Sequence, residues 1–132
     1  MAWVDLVTLL ALLELFAFGY AVSAARGRYG VRAPATTGNE VFERYFRVQQ
    51  NTLELTVLFV PALWLAARYW NPAWTAAVGA VFLIGRLEYF RAYVREPRKR
   101  SLGFALSVLP IGVLWVVALL GAVRTLSAAG GT

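Results

Sequence analysis

The chain has 132 residues, 60% of them hydrophobic and 15% charged, with a formal net charge of +6, no histidine and no cysteine. That apolar share lies well above the roughly 45–50% of soluble domains, so a bilayer is the natural solvent. Without His or Cys the chain has no disulfides, no thiol nucleophile of its own and none of the commonest zinc ligands; no metal is expected, and any chemistry rests on Arg, Tyr, carboxylates or a group that the substrate brings.

Four apolar stretches, each near the roughly 20 residues that a spanning helix requires, predict an all-α, integral membrane four-helix bundle, a single domain over residues 1–132 with spans near 3–25, 46–69, 73–95 and 102–123. The first, Trp3 to Ala25, is interrupted only by Asp5 and Glu14. Its positive charge follows the apolar run, so it reads as a retained span and not as a cleaved signal. Residues 26–38, RGRYGVRAPATTG, form a loop. Thr37 then starts the second helix, with Glu40 as its capping-box partner, and the helix runs to Tyr69, where Trp70-Asn71-Pro72 signals a turn. Pro61 inside it predicts a kink that membrane packing tolerates. The third stretch is purely apolar only from Ala73 to Gly85, so its helix must take in the mixed segment RLEYFRAYVRE to cross. The fourth, Leu102 to Val123, carries a second expected kink at Pro110 and leads into a frayed Gly/Ala tail.

All but one of the 13 Lys and Arg residues are arginine, the side chain suited to forked recognition of carboxylates and phosphates. Arg26, Arg28, Arg32, Arg44 and Arg47 flank the first connection, and Arg86, Arg91, Arg95, Arg98, Lys99 and Arg100 the third, while the opposite side has only Arg68 and Arg124. This bias predicts that both basic segments are cytoplasmic and both termini outside. It reads as orientation and contact with anionic lipid headgroups, and no nucleic-acid partner is expected. Short loops and compact ends suggest a bacterial inner membrane.

Polar residues cluster at the mouth of the second apolar helix, in FERYFRVQQNTLEL, residues 42–55. Arg47, Asn51 and Glu54 fall at i, i+4 and i+7, and Arg86, Tyr89 and Tyr93 on the third helix at i, i+3 and i+7, so each set shares a face. Arginines bind carboxylates, a carboxylate binds an ammonium and Asn offers both donor and acceptor, which together imply a small, zwitterionic, net anionic ligand. The competing structural reading is that these groups hydrogen-bond neighbouring helices together and that the tyrosines belong to an interfacial belt. Glu14 suggests a different function, a small multidrug-type transporter with an intramembrane carboxylate, against the plainer reading of a helix-to-helix hydrogen bond.

FERYFRVQQNTLE followed by LFVPALWLAA, then GRLEYFRAYVREPRKR, closely resembles the MAPEG family, the membrane-associated proteins in eicosanoid and glutathione metabolism. The resemblance covers essentially the whole chain. It implies a homotrimer that binds glutathione between neighbouring subunits on the cytoplasmic side, with Arg47, Asn51, Glu54, Tyr89 and Tyr93 from one subunit and Arg26 and Gln49 from the next. By the same resemblance Arg100 stabilises the glutathione thiolate, a catalytic role that fits the preference of a thiolate for a nearby guanidinium. Leu55 stands where one branch of the family has a tyrosine, and Gly27 where it has the second of two arginines. The expected activity is glutathione transfer to apolar electrophiles, hydrophobic small molecules or lipids, or their reduction as a peroxidase; a non-catalytic lipid-binding scaffold of the same family is the alternative beside the transporter.

Overall fold

The apolar stretches fold as four long helices in the computed structural model, which describes residues 1–131: α1 Ala2–Tyr29, α2 Glu40–Tyr69, α3 Pro72–Arg95 and α4 Ser101–Gly130, the last entered through a single 3₁₀ turn, Pro97–Arg100. Each is long and apolar enough to cross a bilayer, and the chain is a multi-pass membrane protein. No strand occurs among the described residues.

Local chemistry explains where these helices start and stop. Helix α1 runs past Ala25 and takes Arg26 and Arg28 out of the expected loop, because cations are favourable at a helix C-terminus, and the left-handed turn that ends it falls at Gly30 (φ 69°) and not at Gly27. The start of α2 is Asn39 and not Thr37. Gly38 stands between them at φ 126°, a conformation no helix contains, and the Asn39 side chain accepts a hydrogen bond from the Phe42 N–H at 3.0 Å. Asn39→Ala is therefore expected to cost about 1 kcal/mol, and Thr37→Ala nothing, measured by thermal unfolding in detergent. Helix α3 begins with Asn71 as cap and Pro72 in the first turn, where the missing N–H is harmless. The C-terminal segment expected to fray is helical to Gly130, as its Leu, Ser and Ala residues permit. Both internal prolines, Pro61 and Pro110, lie within continuous helices.

One arginine fastens the ends of two helices. Arg44, near the start of α2, donates to the carbonyls of Val94 (3.3 Å) and Arg95 (3.0 Å), which a helix C-terminus leaves without intrahelical partners, and pairs with Glu40 at 2.9 Å. The beginning of α2 and the end of α3 are thus held at one end of the bundle.

Helix α1 packs on α2 and α3, and α4 on the same two. The largest apolar cluster joins all four, with Val4 and Val7 of α1, Phe59 and Leu63 of α2, Phe82 of α3 and Leu114 of α4; the Phe59 and Phe82 rings stack with centroids 3.9 Å apart. Leu55 packs against this cluster. Between α3 and α4 the backbones nearly touch. A Cβ at Gly85 would lie 2.6 Å from the Leu106 carbonyl carbon, and one at Gly103 would lie 2.6 Å from Tyr89 Cα, so only glycine permits this approach. Outward faces carry large exposed apolar side chains such as Phe16, Leu109 and Trp115, as lipid contact requires.

Candidate functional site

The close approach of α3 and α4 sets the 3₁₀ turn and the first turn of α4 beside the aromatic end of α3. Across from them lies the polar start of α2. Between these elements is a cavity of about 460 Å³ lined by Arg47, Asn51, Tyr89, Tyr93, Arg100, Ser101 and Phe104, within the roughly 300–1,000 Å³ range of small-ligand pockets. An adjoining cleft of about 390 Å³ shares Arg47 and Tyr93 and adds Glu40, Glu43 and Arg44.

The pocket is positively charged and open to a ligand. Arg47 and Arg100 are exposed, and no ion pair engages either guanidinium among the described residues. Tyr89 and Tyr93 stack with centroids 5.4 Å apart and form an aromatic wall. Cationic donors beside phenol hydroxyls and an amide suit a small ligand with carboxylates and amides.

Beneath the pocket, Arg86 organises the wall. It is fully buried, its guanidinium carbon 4.4 Å from the centroid of the Tyr89 ring. Its Nη1 donates to Asn51 Oδ1 at 2.8 Å, and its Nε donates to Ser107 Oγ at 2.8 Å. Ser107 in turn donates to the Gly103 carbonyl at 2.6 Å. Because the Asn51 carbonyl oxygen is occupied by Arg86, its NH₂ is the group left for a ligand. Arg86 thus joins α2, α3 and α4 at one depth.

Five of the eight residues singled out from sequence, Arg47, Asn51, Tyr89, Tyr93 and Arg100, line this one cavity. The other three do not. Arg26 donates to the Ala35 carbonyl at 2.6 Å and lies over the Phe42 ring. Gln49 faces a different groove, beside Leu12, Phe16 and Tyr20 of α1. Glu54 is exposed on the surface of α2. Sequence reasoning missed Ser101 and Phe104, whose place follows from the turn into α4, and it counted Arg86 among the cations that orient the chain. Buried inside the bundle, Arg86 is no loop charge; the other half of that reading, which put it on one face with Tyr89 and Tyr93, agrees with its stacking on the Tyr89 ring. At Gly27 a side chain would meet open space.

Fold and site together define a four-helix membrane protein with a positively charged, arginine- and tyrosine-lined pocket at one end of its bundle. Comparison with known proteins narrows that class. The chain is 48% identical over 118 residues to an uncharacterized protein of Synechocystis, covering 89% of this chain and 86% of the other. It is 40% identical over 116 residues to microsomal glutathione S-transferase 2 of Homo sapiens, covering 88% and 77% of the two chains, and 36% identical over 115 residues to leukotriene C4 synthase of Bos taurus, covering 87% and 77%. The pattern that defines the MAPEG family matches residues 4–120. The chain belongs to the MAPEG family.

Proposed function

We propose that this protein is a glutathione transferase of the membrane, using bound glutathione as a thiol nucleophile against apolar electrophiles that arrive through the lipid phase. The observation that carries this reading is the convergence of Arg47, Asn51, Tyr89, Tyr93 and Arg100 on one cavity. Arg47 pairs with a glutathione carboxylate, the Asn51 NH₂ donates to a carbonyl or carboxylate oxygen, and the tyrosine hydroxyls complete the polar contacts. Arg100, at the rim beside Phe104, faces the thiol and favours its ionised form. The thiolate sulfur then attacks the electrophilic carbon, forming the C–S bond as the leaving group departs or an epoxide C–O bond opens. With a lipid hydroperoxide the same thiolate attacks the terminal peroxide oxygen and breaks the O–O bond, leaving the lipid alcohol and glutathione sulfenic acid, which a second glutathione converts to the disulfide and water.

The active form in this reading is a homotrimer, with the site facing the cytoplasm. Three observations support a second copy at the site. Glu54 is an exposed carboxylate on a spanning helix, a costly arrangement against lipid. Gln49 lies in an apolar groove of about 560 Å³ on the α1 surface, away from the cavity. Arg26 likewise lies outside it. A neighbouring subunit covers Glu54 and brings its own Arg26 and Gln49 to the pocket. Native mass spectrometry from detergent is expected to show three chains per particle. The positive charge of Arg86, felt at Glu14, disfavours a cationic cargo there and so favours the transferase over a cation exporter.

Titration calorimetry of glutathione into the purified protein in detergent tests the central claim. Saturable binding is expected; no binding at millimolar thiol would leave the scaffold or the transporter as the better reading.

A further inference from the structure

The bundle contains a second polar feature, deeper than the pocket, which the proposed chemistry does not use. Val7 of α1 meets Gly79 of α3, and Phe18 of α1 stacks on Phe90 of α3 with centroids 4.7 Å apart. The offset along the chain is the same in both pairs, so α1 and α3 run in parallel and in register. That register sets Glu14 opposite Arg86. Glu14 lies on the same stripe of α1 as buried Ala11 and Phe18, and its electrostatic partner is Arg86. At this depth every helix contributes a polar side chain: Glu14, Asn51 with Thr52, Arg86 and Ser107. Aromatic pairs bracket the layer, Phe18 with Phe90 on the pocket side and Phe59 with Phe82 on the other.

Within this layer the polar atoms are unevenly satisfied. Arg86 Nε and Nη1 are hydrogen-bonded, yet its Nη2 is buried without a partner, and so are both carboxylate oxygens of Glu14. Buried donors and acceptors left unpaired at one level of the bundle call for a polar group between them, and water, which donates and accepts, has the right chemistry.

We infer that Glu14 is a positioning residue for Asn51: it supplies the counter-charge that holds Arg86 through a bridging water, and Arg86 holds the Asn51 amide with its NH₂ toward the pocket. A glutathione ligand then meets a preset donor. Without Glu14 the guanidinium is an uncompensated buried charge, free to swing toward other acceptors and release Asn51. The link to glutathione rests on the function proposed above; the Glu14–Arg86 pairing does not.

Two measurements separate these parts. In a melting-temperature cycle in detergent, Glu14→Leu and Arg86→Met each lower the transition by roughly 5 °C or more, and the double variant is less destabilised than the two shifts combined, because each single change strands a buried charge. Additive shifts overturn the pairing. In the second, Glu14→Gln, which keeps the shape and removes the charge, weakens glutathione binding by about tenfold in the wild-type background and leaves it unchanged in an Asn51→Ala background. Unchanged affinity in Glu14→Gln, or an equal loss in both backgrounds, overturns the positioning role. If the wild-type protein binds no glutathione, the proposed function and the positioning role fail together, while the melting cycle still decides the pairing.

Discussion

Replacing Arg100 with alanine is expected to cut the rate of glutathione conjugation by roughly 100-fold, about 2.7 kcal/mol of transition-state stabilisation, while the protein still binds the tripeptide. Arg100 is exposed at the end of the 3₁₀ turn and lines the cavity without being part of its buried support, so its removal leaves the bundle intact. What is lost is the charge that favours the thiolate. The sign of the pH effect follows. A guanidinium beside the thiol lowers the pKa of the bound glutathione, so wild-type activity rises with pH through a value below the roughly 8.5 of a free thiol, and in Arg100→Ala that rise moves to higher pH. Ultraviolet thiolate absorbance on adding glutathione at neutral pH checks the same point without an electrophile. A variant that conjugates at the wild-type rate would sink the mechanism.

Gly103→Ala is expected to act in the opposite way, weakening glutathione binding and destabilising the protein together. The added methyl would lie 2.6 Å from Tyr89 Cα, where no side-chain rotation relieves the clash, and α4 must move away from α3. Such overpacking costs roughly 1–3 kcal/mol. The displacement also carries Ser107 away from Arg86 and Phe104 and Arg100 away from Tyr89 and Tyr93, so the cavity widens as its support loosens. Thermal unfolding and glutathione titration of one preparation test both halves, and a variant with wild-type values for both would show that the helices yield at this crossing. Gly112→Ala, where a Cβ meets open space, is the matched control and should change neither.

Much of this protein was legible in its sequence because a bilayer simplifies the problem. Runs such as LTVLFVPALWLAA and GFALSVLPIGVLWVVALL can only be spanning helices once the solvent is lipid, since the backbone must satisfy itself internally. The faces of α2 and α3 were legible in part: helical spacing put Arg47, Asn51 and Glu54 on one face and Arg86, Tyr89 and Tyr93 on another, though Glu54 does not line the cavity. Helix ends were less so. Thr37 and Glu40 make as good a capping box on paper as Asn39 makes a cap in the fold, and the difference lies in the backbone turn at Gly38.

By itself, then, the sequence determined four spanning helices, a concentration of arginine at one end and the side chains that line a polar face on each of two helices. The tertiary structure alone decided which of those side chains meet. It turned Arg86 inward to bind Asn51 and Ser107, set Glu14 level with it, brought Arg100 and Phe104 to the pocket, and left Arg26, Gln49 and Glu54 outside. The physical reason is that a helical repeat fixes directions within one helix, whereas the offset between helices comes from packing: Gly85 and Gly103 let α3 and α4 close to backbone contact, and Gly79 and Phe90 set α1 against α3.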